Sequence, residues 1–372
     1  MQERLFVFGR PAQGDTFTDR EKERAILKTN FRYGINTFLI SPRRWGKTSL
    51  VLKVINELKD DSIITVFVDV FKCKNAEEFC EKLASAVLSQ TSGRIDEVTE
   101  YLKSILSRIS LGIGLSPDPF NNLSVSLNFR NKDKDFEALL QIPASIAEKK
   151  NTKILVCIDE FQQITEFEDS LSFQKLLRTV WQHQENVTYC LFGSKKHMME
   201  GLFDDESKPF YKFGEVLYLE PIPLRYWTEF ITSRFARKGK TISAETCERI
   251  CELVDYNSYY VQQLSWLLFR ITDIHANEEL LESAMDDMIA QNSALFESKT
   301  ESLTSYQMNF LRAVSDGVHD KFSSSHIISK YRLGSSANVV SLKKTLIEKD
   351  LITSSNGLVK LTDPVLGLWL KR

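Results

Sequence analysis

The sequence predicts an α/β fold, in which a parallel sheet flanked by helices is followed by a helical region and a winged-helix domain. Residues 154–158 are all apolar, and further largely apolar runs occur at 36–41, 63–70 and 187–193. Such runs are typical of strands buried on both faces of a parallel sheet. Helical patterns separate them, and this alternation indicates a parallel α/β sheet. Beyond residue 221 the apolar spacing becomes helical.

A turn between the first strand and the next helix has the chemistry of a phosphate-binding loop. The backbone N–H groups of such a turn converge on phosphate oxygens, a lysine neutralises the β- and γ-phosphates, and a hydroxyl holds Mg²⁺. We assign Lys47 to the phosphates and Thr48 to the metal. The predicted nucleotide-binding residues of this loop are Ser41, Pro42, Arg43, Arg44, Trp45, Gly46, Lys47, Thr48 and Ser49.

The loop departs from the usual motif at its first position, where Ser41 stands in place of a glycine. Serine is small enough for a tight turn but adopts a positive φ only at a cost, so a local difference in the backbone is expected. A Gly-Lys-Thr triplet is a weak signal by itself. The strand before it and the helix after it favour nucleotide binding over a plain strand-to-helix turn.

Two acidic residues stand at the end of the most apolar strand. Asp159 and Glu160 directly follow residues 154–158. An acid at such a position holds Mg²⁺, and a second acid polarises the attacking water. We assign Asp159 to the metal and Glu160 to the general base; the alternative is a strand that merely ends in two solvated acids. Ser194 follows another apolar strand and either contacts the γ-phosphate or the attacking water, or caps the next helix.

The chain resembles the archaeal ATPase family, a group of prokaryotic AAA+-like P-loop ATPases that is related to the STAND signalling NTPases. The resemblance rests on Pro-Arg-Arg-Trp-Gly-Lys-Thr-Ser at 42–49, Ile-Asp-Glu-Phe-Gln at 158–162, Phe-Thr-Asp-Arg-Glu-Lys-Glu at 17–23 and a terminal winged helix. It implies an AAA+-like core with Walker A and Walker B motifs, a helical lid, and ATP and Mg²⁺ as cofactors.

The resemblance also implies a role for the segment at 17–23, which in the family helps to frame the adenine. Asp19 and Arg20 are therefore candidate nucleotide contacts, and a capped helix start is the alternative. Some relatives place an arginine near residues 207–212 that could reach a neighbouring subunit's nucleotide. This chain has lysines there, and lysine lacks the bidentate fork of an arginine finger.

In the lid, the resemblance makes Arg234, Arg237 and the turn at 257–260 candidates for the nucleotide-facing side. Relatives often have glycine or proline in this turn, whereas this chain has Asn257 and Ser258. A plain helix N-cap is the simpler interpretation of Asn257.

The chain divides by its patterns into three predicted domains. Residues 1–220 form the ATPase core, 221–298 the helical lid and 299–372 the winged helix. The core carries a predicted β-hairpin insertion at about 109–130, where two alternating stretches flank a turn-rich loop. The apolar face of this hairpin either packs on the core or docks a partner.

The last segment has the order of a winged helix, with three helical patterns followed by a hairpin that contains an Asn-Gly turn. In the DNA-binding interpretation, the third helix enters the major groove and the wing meets the backbone. The exposed candidates on this helix are Asn338, Ser341, Lys343 and Lys344, and the segment holds about five more basic than acidic residues. Because this excess is modest, double-stranded DNA and a protein partner both stay open.

The composition is that of an ordinary globular protein: 372 residues, 42% hydrophobic, 26% charged, with a net charge of −2. No apolar run approaches the roughly 20 residues that span a bilayer, and the N-terminus lacks the apolar core of a signal peptide. We therefore expect a cytoplasmic protein with no membrane partner. The six cysteines are expected to be core thiols, because Cys247 and Cys251 lack a matching His or Cys pair for zinc.

Together these features predict an Mg·ATP-binding ATPase that acts as a nucleotide-driven switch or motor, coupled to DNA or a protein through its winged helix. Oligomerisation, in an ATP-dependent form, is compatible with the same resemblance. The alternative is a DNA-binding regulator that binds ATP as a ligand without significant hydrolysis. A small-molecule kinase fits poorly, because the extra length is used for a lid and a winged helix and not for an acceptor pocket.

Overall fold

The computed structural model describes residues 4–58, 62–91, 112–116, 124–128, 132–355 and 357–372. The chain divides into two compact units. The sheet unit comprises Arg20–Pro42 and Lys47–Glu220, and the C-terminal unit comprises Met1–Asp19, Arg43–Gly46 and Pro221–Arg372. The tip of the predicted phosphate-binding loop, Arg43–Gly46, therefore belongs by its contacts to the C-terminal unit.

A five-stranded parallel sheet with the strand order β2-β5-β6-β1-β7 forms the centre of the sheet unit. The strands of this unit are β1 (Thr37–Ile40), β2 (Ile63–Asp69), β3 (Gly112–Ser116), β4 (Ser124–Asn128), β5 (Lys153–Asp159), β6 (Val187–Gly193) and β7 (Glu215–Tyr218). The predicted parallel α/β sheet is confirmed. Its edge strand β7 is absent from the sequence prediction, because its four residues are half-buried or exposed and form no fully apolar run.

Helices flank the sheet and bury its apolar faces. They are α1 (Glu21–Tyr33), α2 (Lys47–Glu57), α3 (Ala76–Thr91), α4 (Lys132–Leu140), α5 (Ile142–Lys150), α6 (Ser170–Trp181) and α7 (Lys196–Phe203), with a 3₁₀ helix at Phe161–Glu166. Val156 of β5 and Leu191 of β6 share one hydrophobic core with Leu83 of α3 and Leu177 of α6. The central strands are buried almost throughout, which explains why their residues form uninterrupted apolar runs.

The parallel register brings the carboxyl ends of three strands to the same edge of the sheet. Ile40 of β1 pairs with Gly193 of β6, and Ile158 of β5 pairs with Leu191 of β6. The residues that follow these strands therefore emerge side by side. They include the phosphate-binding loop, the acids at 159–160, and Ser194.

β3 and β4 pair as an antiparallel hairpin outside the sheet. Strands thus occur where the sequence predicts the insertion. The turn-rich loop between them, and the question of what the apolar face of the hairpin contacts, lie outside the described residues.

From Pro221 onward the C-terminal unit is mainly helical, with a short hairpin near its end, and a 3₁₀ helix at Gly14–Thr16 lies in its N-terminal segment. Its elements are α8 (Leu224–Ala236), α9 (Ala244–Leu253), α10 (Ser258–Ile271), α11 (Glu278–Thr300), α12 (Ser305–Ser315), α13 (Ser325–Tyr331), α14 (Ser336–Glu348), β8 (Ile352–Ser355), β9 (Leu358–Leu361) and α15 (Pro364–Leu370). The predicted order of three helices and a hairpin is found in α12 to β9. The three-domain division stays a prediction, and its boundary at 298/299 falls inside α11.

The terminal helix α15 is not predicted from the sequence, although its start carries a clear signal. Asp363 caps the helix by accepting the N–H of Val365 on Oδ1, at 3.1 Å. Pro364 occupies the first helical position, where its missing N–H and fixed φ are favourable.

The N-terminal segment packs within the C-terminal unit. Phe6 makes edge-on or tilted contacts with the rings of Phe230, Phe235 and Phe269. The N–H of Val7 donates to Oε1 of the buried Gln262, at 2.7 Å. This segment is predicted to belong to the ATPase core at 1–220, whereas its contacts are with the C-terminal unit.

All six cysteines are buried free thiols that form no disulfide, as expected for core residues. Burial raises the pKa of the Cys247 thiol to about 12 and gives Cys251 the same shift. None of the helices within the described ranges is long and apolar enough to span a membrane.

Candidate functional site

The predicted phosphate-binding loop between β1 and α2 contains two residues with a left-handed backbone. Gly46 has φ 92° and Arg44 has φ 67°, so both lie in the left-handed region, whereas Ser41 does not. A positive φ at position 46 explains the glycine there. Ser41 is tolerated at the opening position because that position does not require a left-handed backbone.

The ammonium group of Lys47 is buried in the loop, with the residue only 6% exposed. It donates to the carbonyl oxygens of Ser41 and Pro42, at 3.0 and 2.9 Å, and to Oγ of Ser41, at 3.3 Å. A buried ammonium requires such acceptors. Ser41 therefore supplies two of the oxygens that hold the predicted phosphate-binding lysine.

Thr48 and Asp159, the two predicted metal ligands, are in direct contact. The Thr48 hydroxyl donates to Oδ2 of Asp159, at 2.7 Å, and the N–H of Glu160 donates to Oδ1, at 2.9 Å. Asp159 is 8% exposed. Burial, reinforced by the charge of Glu160 and opposed by the Thr48 hydrogen bond, raises the pKa of Asp159 to about 6.

Glu160, the predicted general base, is held by two donors from neighbouring elements. Its Oε2 accepts the Ser194 hydroxyl at 2.8 Å and the side-chain amide of Gln162 at 2.5 Å. Its own backbone is left-handed, with φ 57°. The sequence marks Ser194 as a candidate but assigns no role to Gln162, although Gln162 ends the Ile-Asp-Glu-Phe-Gln motif at 158–162.

Gly193, at the end of β6, is also missing from the predicted site. A Cβ atom at this position would lie 1.8 Å from Oε1 of Gln162. The absence of a side chain therefore makes room for the amide that contacts Glu160. The sequence shows only a glycine at a strand end, which does not reveal this close approach.

The loop tip is fixed within the C-terminal unit by the start of α10. Asn257 caps this helix by accepting the N–H groups of Tyr259 and Tyr260. Its side-chain amide donates to the carbonyl of Arg43, at 3.3 Å, and the N–H of Tyr259 donates to the carbonyl of Arg44, at 3.2 Å. The interpretation of Asn257 as an N-cap agrees with this geometry.

The guanidinium of Arg44 lies in a polar and aromatic pocket of the same unit. It contacts the Tyr260 hydroxyl and lies 3.1 Å from Oδ2 of Asp363. The Tyr260 hydroxyl in turn donates to Oδ2 of Asp363, at 2.7 Å. The guanidinium carbon lies 4.9 Å from the Tyr259 ring centroid and 5.2 Å from that of Tyr260, within cation–π range.

No sequence pattern links Tyr260 or Asp363 to Arg44, because each lies more than 200 residues away from it. The resemblance places only the turn at 257–260 on the nucleotide-facing side. Burial and the carboxylate of Asp363 raise the pKa of the Tyr260 hydroxyl, which therefore acts as a neutral donor. Of the remaining predicted loop residues, Arg43 is exposed, and Trp45 and Ser49 are half-buried.

Asp19 and Arg20 both have left-handed backbones, with φ 56° and 67°. Arg20 is 3% exposed, and its guanidinium donates to Glu23 at 2.9 Å and to the carbonyl of Glu220 at 2.6 Å. In this conformation its guanidinium links the start of α1 to the end of the sheet unit. Contact of Asp19 and Arg20 with an adenine stays a prediction.

The other cations singled out in the sequence are engaged elsewhere. Arg237 forms an ion pair with Asp15 at 2.7 Å, and Arg234 donates to the backbone carbonyl of Asp15. Arg237, through its hydrogen bond, is the main reason that the pKa of Asp15 is lowered. In the segment at 207–212, Lys212 lies 5.0 Å from the ring centroid of Tyr211.

Two family models match the chain. The model "ATPase domain predominantly from Archaea" matches residues 17–264, and the model "Probable winged helix domain" matches residues 294–372. Together they include the loop, the acidic strand end and the C-terminal hairpin, and they confirm the resemblance noted in the sequence. No curated protein matches the chain.

Solved structures share the fold at low sequence identity. The Walker-type ATPase of Pyrococcus abyssi matches with a TM-score of 0.70 and 17% identity, over 99% of this chain and 100% of that chain. The ORC2 protein of Aeropyrum pernix, solved as ADPNP and ADP complexes, matches with a TM-score of 0.58 and 15% identity, over 99% and 96%.

The ORC1 protein of Aeropyrum pernix, solved in complex with DNA, matches with a TM-score of 0.51 and 13% identity, over 96% of this chain and 93% of that chain. At these identities the structures show a common fold. The family model covers about two thirds of the sequence, including both motifs of the site. The chain therefore belongs to the family of ATPase domains found predominantly in Archaea and carries a C-terminal winged helix domain.

Proposed function

We propose that this ATPase is an Mg·ATP-dependent switch or motor whose nucleotide state is coupled, through the winged helix, to double-stranded DNA or a protein partner. The observation that carries the proposal is the hydrogen-bonded cluster of Thr48, Asp159, Glu160 and Ser194 at the carboxyl edge of the sheet. Membership of an ATPase family supplies the nucleotide.

The donor set fits Mg²⁺ and a triphosphate. Thr48 and Asp159 offer hydroxyl and carboxylate oxygens, the hard ligands that Mg²⁺ prefers. Bound Mg²⁺ would neutralise the charge that develops on the phosphates. Lys47 has its ammonium group on loop oxygens, which phosphate oxygens would replace as acceptors. Ser41, Pro42, Gly46 and Ser49 would complete the loop around the phosphates.

Glu160 is the proposed general base. Ser194 and Gln162 fix the orientation of its carboxylate, so it can accept a proton from a water molecule in a defined direction. Fixing the base in advance lowers the entropy that must be lost at the transition state. In this proposal Ser194 acts on the attacking water through Glu160. Its hydrogen bond to Glu160 favours the predicted role beside the γ-phosphate and the attacking water over a role as a helix cap.

The winged helix offers a mixed surface to a partner. On α14, Ser341 and Lys344 are exposed as predicted, whereas Asn338 and Lys343 are half-buried, and Val340 is 67% exposed. Asn338 donates its amide to the carbonyl of Leu333 at 2.7 Å, so it also has a structural role. A lysine, Lys344, beside the exposed apolar side chain of Val340 fits a protein as well as a nucleic acid. Duplex DNA is the first ligand to test, because the ORC1 relative was solved with DNA.

The test is ATP turnover at fixed salt, with and without duplex DNA, for the wild type, Lys47→Ala and Glu160→Gln. Salt must be fixed because phosphate contacts are strongly salt-dependent. We expect turnover in the wild type, loss of ATP binding in Lys47→Ala, and retained binding without turnover in Glu160→Gln. Stimulation by DNA in the wild type alone would identify DNA as the coupled partner.

The outcomes separate the proposal from its alternative. If ATP binds but is not turned over, and Glu160→Gln binds duplex DNA like the wild type, ATP acts only as a ligand and the chain is a DNA-binding regulator. If ATP is hydrolysed but DNA has no effect, a protein partner is favoured. Turnover that survives in Lys47→Ala would overturn the assignment of the site.

A further inference from the structure

The tip of the nucleotide-binding loop is held by a set of residues from the lid and the winged helix, all within the C-terminal unit. We define the loop clamp as Asn257, Tyr259, Tyr260 and Asp363. Asn257 and the N–H of Tyr259 bind the carbonyls of Arg43 and Arg44. Tyr260 and Asp363 bind the guanidinium of Arg44. Backbone and side chain of the same turn are therefore fixed together.

Arg44 has a backbone conformation that needs support. Its φ of 67° lies in the left-handed region, which is unfavourable for a residue with a Cβ atom. Such a conformation persists when the surroundings over-determine it. Two carbonyl hydrogen bonds, a guanidinium ion pair and two ring contacts supply that constraint.

Asp363 is the central residue of the clamp. It is 9% exposed, and its Oδ2 accepts from both Arg44 and Tyr260 while its Oδ1 caps α15. A buried carboxylate is expensive unless it is paired, so Asp363 and Arg44 stabilise each other. The loop conformation is thereby tied to the residue that starts the last helix of the chain.

We propose that Asp363 and Tyr260 are positioning residues for ATP binding, which act through Arg44 to hold the phosphate-binding loop in its nucleotide-accepting conformation. The winged helix domain then contributes to the affinity for ATP besides carrying the partner surface. The inference rests on the proposed function of the loop. It assigns the arginine at position 44 to loop architecture and not to the phosphates.

The experiment measures the affinity for ATP and the steady-state kinetic parameters of the whole 372-residue chain. The variants are Asp363→Asn, which keeps the helix cap, Tyr260→Phe, which removes only the hydroxyl, and Arg44→Ala. The double variant Arg44→Ala/Asp363→Asn completes a thermodynamic cycle. Asp255→Asn is the matched control, because it removes the exposed ion pair between Asp255 and Lys360 of β9 without touching the loop.

We expect Asp363→Asn, Tyr260→Phe and Arg44→Ala each to weaken ATP binding and raise KM about tenfold, the size of a lost charge-assisted hydrogen bond. kcat at saturating ATP should stay within about twofold, because the cluster around Glu160 is unchanged. The double variant should bind ATP no more weakly than Arg44→Ala. Asp255→Asn should bind like the wild type.

Wild-type affinity in Asp363→Asn and Tyr260→Phe, or additive losses in the double variant, would overturn the inference. An equal loss in Asp255→Asn would also overturn it, because the effect would then belong to the domain as a whole. If Asp363→Asn misfolds, Tyr260→Phe decides the outcome. If the wild type itself does not bind ATP, or Lys47→Ala binds it normally, the proposed function fails, and the inference fails with it.

Discussion

The Thr48 hydroxyl donates a 2.7 Å hydrogen bond to the carboxylate of Asp159, which joins the first turn of α2 to the end of β5. The two residues lie far apart in the sequence, yet the parallel sheet places the loop after β1 and the acid of β5 at one edge. The hydrogen bond offsets only part of the desolvation of Asp159, whose pKa is raised to about 6 by its burial. The site therefore holds a carboxylate whose charge is unfavourable until a cation binds it.

Asp159→Asn is expected to stabilise the nucleotide-free protein and to abolish Mg²⁺-dependent turnover. The folded-state pKa of about 6 exceeds the ordinary aspartate pKa of 3.8, so the ionised carboxylate disfavours folding at pH 7.5. Removing it should raise the free energy of unfolding by about 1–3 kcal/mol. As the pH falls from about 6 towards 4, Asp159 becomes protonated in the folded state and the wild type regains this stability. The difference in the free energy of unfolding between Asp159→Asn and the wild type should therefore decrease. Urea denaturation at pH 7.5 and 5 measures the gain in stability and its decrease at lower pH. An ATPase assay with Mg²⁺ measures the loss of turnover.

The control for this prediction is Asp69→Asn, at the end of the neighbouring strand β2. Asp69 pairs in register with Asp159 but is exposed. The same chemical change there should leave the free energy of unfolding within about 0.5 kcal/mol. A lower stability of Asp159→Asn at pH 7.5 would contradict the proposed cost of the buried charge.

Ser194→Ala is expected to lower kcat about tenfold with little change in KM. The Ser194 hydroxyl donates to Oε2 of Glu160 at 2.8 Å. The free energy of a hydrogen bond to a charged group corresponds to a change in rate of about tenfold or more. Its loss leaves the base less well oriented without changing the groups assigned to ATP binding. Steady-state kinetics measure the effect, and Ser89→Ala, on α3, is the control because the Ser89 hydroxyl donates to the carbonyl of Ala86 in the same helix, at 3.1 Å. An unchanged kcat would leave Ser194 with a purely structural role.

The sequence predicts the parts of the site that are local in the chain. The loop, the acids after β5 and Ser194 are each marked by an apolar run that ends at a polar residue. The parts that depend on packing are missed. The side chain of Gln162 occupies the space that is left by the missing side chain of Gly193. Asp363 caps the last helix and also contacts Arg44, which is far away in the sequence. Such relations depend on tertiary packing, which leaves no periodic pattern in the sequence.

Gly193→Ala is expected to reduce both stability and turnover. Its Cβ would lie 1.8 Å from Oε1 of Gln162 and 3.0 Å from the sulfur of Met199, so the Gln162 side chain must move away. Overpacking of this kind costs about 1–3 kcal/mol. The displaced amide would lose its hydrogen bond to Glu160. Thermal denaturation and kcat measure the two effects.

The matched test is the double variant Gly193→Ala/Gln162→Ala. Removing the Gln162 side chain relieves the clash, so stability should return towards that of Gln162→Ala alone. Turnover should stay low, because Glu160 still lacks the amide donor. If Gly193→Ala is as stable and active as the wild type, the close approach at this strand end has no functional consequence.

Arg20→Ala separates two interpretations of the segment before α1. The buried guanidinium donates to Glu23 and to the carbonyl of Glu220, so its removal should lower the free energy of unfolding of the nucleotide-free protein by about 3 kcal/mol. A residue that mainly contacts adenine would instead lower the affinity for ATP and leave that stability unchanged. Urea denaturation without nucleotide, compared with ATP titration under native conditions, distinguishes the two. Glu21→Ala, at the exposed start of α1, is the control for a general effect on the helix. Because Arg20 is almost fully buried and both partners lie in the sheet unit, we expect the loss of stability to dominate.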